Sequence, residues 1–179
     1  MSTTESSYGI LSLCTGVGAL DIGVRRSLQK LQVESHLVAF AENDKDCCLV
    51  LERHYPEIPN IGDLTQFSDW ENFRDSVRVI TAGFPCQPFS LAGNRKGTTD
   101  ERYLWPFIEQ AIRAIRPQYV FLENVAGFRS QGFSEVTASL AALGYDLRWH
   151  SVRASDIGAP HKRDRVFIVA RPAADSGSE

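Results

Sequence analysis

Five short apolar runs, each closing on glycine or a polar residue, constrain this chain more than any other feature. They are Tyr8 to Leu13 before Cys14-Thr15-Gly16-Val17-Gly18-Ala19, His36 to Ala41 before Glu42-Asn43-Asp44, Ile58 to Ile61 before Gly62-Asp63-Leu64, Val77 to Thr81 before Gly83-Phe84-Pro85-Cys86, and Tyr119 to Leu122 before Glu123-Asn124-Val125. Runs this short read as buried strands. The helical patterns between them, to about Leu31, from Asp44 to Arg53, from near Thr65, from Tyr103 to Ile115 and from Phe133 to Leu143, predict an α/β fold with a mostly parallel, doubly wound sheet. Two more strands, Tyr145 to Arg153 and Arg165 to Arg171, bring the expected total to seven, the last two forming a terminal hairpin. Gly144, after the last helix, suits a left-handed cap. Loops at the carboxyl ends of the strands of such a sheet build its binding crevice. Gly16, Glu42, Asp63, Cys86 and Glu123 are therefore expected on one edge.

With 179 residues, 43% hydrophobic and 23% charged, the chain is long enough for one domain with a substantial core, expected over residues 1–179 with an ordered part from 8 to 171. A formal net charge of -3 argues against nucleic-acid binding by bulk electrostatics, leaving two local basic patches, Arg95-Lys96 and Lys162-Arg163-Asp164-Arg165. No apolar run approaches the roughly 18 residues of a membrane span, and the first residues lack the pattern of a secretory signal. We expect a soluble, intracellular, cytoplasmic protein without a membrane partner. The four cysteines, Cys14, Cys47, Cys48 and Cys86, have no CxxC spacing, so neither a disulfide framework nor a metal site is expected.

The strand ends carry specific chemistry. Prolines on both sides hold Cys86 on stiff backbone, which suits a nucleophile, although a lone cysteine is more often a small buried hydrophobe. The turn at Gly16 and Gly18 can set backbone N–H groups and a helix N-terminus against a nucleotide, but it lacks the third glycine of GxGxxG and a phosphate-binding lysine. Glu42 is placed to accept from ribose hydroxyls, or to cap the helix that follows. Asp63 can accept from an exocyclic amine such as that of adenine, or cap the helix near Thr65. The polar segment Gly93 to Asp100 has the composition of a loop that closes over substrate.

Taken together, these motifs closely resemble those of the cytosine carbon-5 DNA methyltransferases, from Ile10 to Ala170. The resemblance matches Thr15 to Ala19 to the S-adenosylmethionine loop, Glu42 to the ribose ligand, Asp63 to the adenine ligand, and Pro85-Cys86-Gln87-Pro88-Phe89-Ser90 to the nucleophile loop. It also matches Leu104 to a cofactor contact, Glu123-Asn124-Val125 to the ENV motif, and Gly158 to Arg165 to the arginine-bearing strand. It implies a Rossmann-like methyltransferase fold and a methyl transfer from S-adenosylmethionine, leaving S-adenosylhomocysteine, to carbon 5 of cytosine in DNA. The implied catalytic residues are Cys86, Glu123, Arg163 and Arg165. Cofactor contacts fall to Cys14, Thr15, Gly16, Val17, Gly18, Ala19, Glu42, Asn43, Asp63, Leu64, Pro85 and Leu104, and DNA contacts to Gln87, Ser90, Arg95, Lys96, Arg163 and Arg165.

The departures from the family pattern are Cys14 for an aromatic residue that stacks on adenine, Ala19 for glycine, His161 for glutamine, and the lack of a target recognition region and of the last motifs. A second polypeptide supplying that region is therefore an expected partner. The competing readings are a cofactor- or partner-binding module without activity, and an RNA cytosine methyltransferase.

Overall fold

The computed structural model describes residues 7–85 and 103–174. In chain order the elements are β1 (Tyr8–Leu13), α1 (Ala19–Lys30), β2 (Ser35–Ala41), α2 (Lys45–His54), β3 (Val79–Ala82), α3 (Trp105–Ile115), β4 (Tyr119–Val125), α4 (Phe128–Gln131), α5 (Phe133–Ala142), β5 (Tyr145–Arg153) and β6 (Asp164–Pro172). Short 3-10 turns lie at Leu64–Gln66, Trp70–Phe73 and Ala154–Ile157.

The strands form one sheet in the order β2-β1-β3-β4-β6-β5. The first four run parallel, β6 runs antiparallel to β4, and β5 pairs antiparallel with β6 as a terminal hairpin. Alternating side chains split the core. Ile10 and Val79 face Val24 and Leu28 of α1 and Leu51 of α2, whereas Leu11, Leu13 and Ile80 face Ile108 and Ile112 of α3 and Val136 and Leu140 of α5. The sheet is thus doubly wound, and the strand order reverses between β1 and β3, the position at which sheets of this kind carry a binding crevice beyond the carboxyl ends.

One expected strand is absent: the described residues hold six strands, not seven. Ile58 to Ile61 makes only a single parallel bridge, Phe40 to Asn60, with Phe40 N–H donating to Pro59 O at 2.9 Å and Ile61 N–H to Phe40 O at 2.8 Å. Pro59 has no N–H to extend a ladder, and Gly62 turns the chain away at φ 75°. The helix expected near Thr65 is the 3-10 turn at Leu64–Gln66, capped by Asp63. Gly144, at φ 82°, is the left-handed residue after α5, as its position requires.

Candidate active site

The segment joining β1 to α1 bends sharply because three of its residues adopt positive φ: Cys14 at 50°, Gly16 at 57° and Gly18 at 79°. Gly18 is the N-cap of α1. A Cβ on Gly16 would meet nothing within 4 Å, so the backbone there lies open to a ligand. Glu42, at the end of β2, ties this turn to its own: Oε2 accepts from Gly16 N–H at 2.6 Å, and Oε1 from Asn43 N–H at 3.0 Å and Asp44 N–H at 2.8 Å. Asn60 braces the same strand end, donating Nδ2 to Glu42 O at 3.1 Å and accepting from Glu42 N–H at 3.2 Å.

Asp63 Oδ1 accepts from Thr65 N–H at 2.9 Å. That bond, with help from the Thr65 and Asn43 side chains, holds its carboxyl below the usual range against the opposing effect of burial. It is an ionised acceptor at neutral pH. Burial, then the charges of Glu42 and Asp63, push the Cys14 thiol up to about 12, so at neutral pH Cys14 is a neutral group in the wall and no nucleophile. Two carboxylates, a thiol and a glycine turn therefore share one side of the crevice. Of the two capping roles open from sequence, that of Asp63 holds, at a 3-10 turn, whereas the cap of α2 is Asp44 and not Glu42.

The other side comes from β4 and β6. Their register pairs Glu123 with Phe167 and Val125 with Arg165, which sets Glu123 and Arg165 diagonally on one face. Arg165 Nε lies 2.8 Å from Glu123 Oε1, each side chain being about one-fifth exposed at 21% and 23%. Arg165 Nη1 also donates to Asp164 O at 2.8 Å. A Cβ on Gly83 would lie 3.6 Å from Glu123 Oε2 and 3.8 Å from Cys14 O. The ion pair, the chain leaving β3 and the glycine turn thus meet at the switch point. Asn124, buried on the opposite face of β4, donates Nδ2 to Phe84 O at 3.1 Å and accepts from Val125 N–H at 2.8 Å. It fixes the backbone at Phe84, two residues before Cys86 in the sequence.

The remaining expected residues fall as follows. Thr15 is buried, its hydroxyl donating to Ser12 O at 3.1 Å, so it braces the turn. Val17 is exposed and Ala19 begins α1. Leu64 is in the core, Leu104 is half-buried at the start of α3, and Pro85 is exposed. Arg163 is exposed, and its carbonyl accepts from Ala154 N–H at 3.0 Å. Cys86, Gln87, Ser90, Arg95 and Lys96, with the Gly93 to Asp100 segment, lie outside the described residues. Asn60 and the buried Asp21 escaped the sequence reading, and Asn124 entered it only as the middle of Glu123-Asn124-Val125, without a role. The signal for Asn60 is a lone amide in an apolar run between Pro59 and Ile61. For Asp21 it is a carboxylate in the apolar stretch that follows a glycine turn.

Residues 8–174 match the family profile described as C-5 cytosine-specific DNA methylase. Among the curated relatives, the chain is 31% identical over 164 residues to the type II methyltransferase M.BanI of Aneurinibacillus aneurinilyticus, covering 89% of this chain and 37% of that protein. It is 33% identical over 164 residues to M.HgiCI of Herpetosiphon aurantiacus, covering 89% and 38%. The chain spans less than half the length of these relatives. Among solved structures, the S. pombe Dnmt2 methyltransferase superposes with a TM-score of 0.74 at 21% identity, over 96% of this chain and 53% of that one.

Proposed function

The chain belongs to the C-5 cytosine-specific DNA methylase family, and from that premise we propose that it transfers a methyl group from S-adenosylmethionine to carbon 5 of cytosine in DNA. The observation that carries the proposal is the Glu123–Arg165 pair at the switch point, across Gly83 from the turn that Glu42 holds. The residues present fit the cofactor: an open glycine turn, a carboxylate at the end of β2 suited to ribose hydroxyls, and a second, at the start of a 3-10 turn, suited to an adenine amine. Each oxygen of Glu42 can accept more than one bond, so its backbone partners do not exhaust it. When bound, S-adenosylmethionine supplies an electrophilic sulfonium methyl group.

Carbon 5 of cytosine is a weak nucleophile, so the ring must first be activated. In this reading the Cys86 thiolate adds to carbon 6, and Glu123 supplies a proton to ring nitrogen 3 and accepts from the amino group. The enamine so formed takes the methyl group at carbon 5. Loss of the carbon 5 proton to a base then expels the thiolate while ring nitrogen 3 returns its proton to Glu123, which restores the aromatic ring and leaves S-adenosylhomocysteine as the other product. Arg165, already oriented by Glu123 and by Asp164 O, holds the ring oxygen and keeps the carboxyl group turned toward the base. Arg163 is free of the core and suits a phosphate of the flanking backbone. The target base must leave its stack to reach these groups, at a cost of a few kcal/mol.

A surface that reads flanking bases belongs to a further polypeptide segment in this proposal. Phe167 and Val169 are 37% exposed on the outer face of β6, beside the half-buried Phe121 of β4, which supports such docking. The test combines calorimetry with S-adenosylmethionine and mass analysis of nucleosides from DNA incubated with the chain, with and without the recognition region of a relative. Cofactor binding and 5-methylcytosine support the proposal. A wild-type chain that binds no cofactor contradicts it, and sequence-selective methylation by the chain alone contradicts the need for an added surface.

A further inference from the structure

Beneath the glycine turn lies a carboxylate that the reaction above does not use. Asp21, in the first turn of α1, is 2% exposed. Its Oδ2 accepts from the Ser12 hydroxyl at 2.8 Å and its Oδ1 from the Thr81 hydroxyl at 2.5 Å. Ser12 and Thr81 are direct partners across the β1–β3 ladder and are themselves buried. A Cβ on Gly18 would sit 3.9 Å from Asp21 Oδ2. One side chain thus grips both strands of the switch point from the helix that closes the turn.

Burying a carboxyl group is unfavourable, and an apolar side chain of similar size would hold α1 to the sheet with less penalty. What the carboxylate adds is direction. Apolar packing lets a helix slide, whereas two hydroxyl donors on adjacent strands, each bonded to its own oxygen, fix one position and one rotation. The turn from Cys14 to Gly18 hangs between two anchors: β1 at one end and Asp21 at the other, with the Glu42 bond to Gly16 N–H at its middle. We propose that Asp21 is a positioning residue for the cofactor turn, fixing the first turn of α1 over the β1–β3 switch point through Ser12 and Thr81 so that the open backbone at Gly16 meets the methyl donor. This rests on the cofactor reading given under Proposed function.

The test measures the Kd for S-adenosylmethionine by calorimetry, and Tm, for the 179-residue chain and for Asp21→Asn, Ser12→Ala and Thr81→Val. A control, Val136→Ala, truncates the core on the opposite face of the sheet. Asp21→Asn, which keeps shape but cannot accept both hydroxyls as strongly, should weaken cofactor binding about tenfold, and each hydroxyl deletion about fivefold. Val136→Ala should lower Tm while leaving Kd within about twofold. If Asp21→Asn does not fold, Ser12→Ala and Thr81→Val carry the test. Folded variants with wild-type Kd, or an equal loss of affinity in Val136→Ala, overturn the proposal. A wild-type chain without cofactor affinity instead overturns the reading on which it rests.

Discussion

Glu123 reaches the crevice because the alternate residues of β4 share the face on which β6 presents Arg165. Its partner is only partly shielded from water, so the pair contributes modestly to stability, about 1 kcal/mol. In the proposed reaction its weight is larger. Glu123→Gln and Arg165→Ala should each lower methyl transfer by about 100-fold or more while changing stability by about 1 kcal/mol, as single-turnover assays and denaturant melts will test. Equal losses in both measurements would make the pair structural. At Asp21 the prediction concerns pH. Burial raises this carboxyl group above its ordinary value, against the Thr81 and Ser12 hydrogen bonds and the charge of Arg25. The folded chain therefore holds this proton more tightly than the unfolded one. The contribution of Asp21 to stability is fully present below about pH 4 and declines as pH rises toward the folded value. Asp44 and Asp63, both held low, slope the other way and cancel in a comparison of wild type with Asp21→Asn. The Tm difference should shift toward the variant from about pH 4 upward, and a flat difference contradicts this.

Among the elements, β1 is closely hemmed in at Gly9. A Cβ on Gly9 would come within 1.9 Å of Ser76 O, a backbone atom, and Gly9 O itself accepts from Arg78 N–H at 2.9 Å. Gly9→Ala must therefore displace the segment entering β3, and should cost about 3 kcal/mol or more in denaturant melts. A loss below about 1 kcal/mol would show that the two segments can part freely. The elements also mark what sequence could reveal. Strands β1 to β6 were readable because their apolar runs are bounded by turn residues, and the ends of the parallel ones were readable as a site because parallel strands deliver their connections to one edge. The segment Ile58 to Ile61 misled because its composition is strand-like, while Pro59 and Gly62 limit it to one bridge. Asn124 and Asp21 were not read as site residues because their roles are long-range contacts, to Phe84 O and to Thr81. Local pattern does not encode such contacts.

For the molecule as a whole, the sheet grades from a sealed centre to a wet edge. Residues of β1, β3 and β4 such as Leu11, Ile80 and Val120 are fully buried, whereas β5 exposes Asp146, Arg148, Trp149, His150 and Arg153, charges that suit an unpaired edge. Hydrogen exchange should follow this gradient: the central amides through global unfolding, those of β5 through local opening at least about 100-fold faster. Uniform protection across the sheet would contradict it. The same architecture brings a glycine turn with two carboxylates and an ion pair together, and Cys86, the nucleophile of the proposed reaction, follows β3 in the sequence. The most direct test is covalent capture on a duplex carrying 5-fluorocytosine, where the blocked carbon 5 traps the thiolate adduct. The account predicts a denaturation-resistant protein–DNA complex that forms only with S-adenosylmethionine present and is lost in Cys86→Ala. A complex that persists in Cys86→Ala, or none from a wild-type chain that binds both cofactor and DNA, would contradict it.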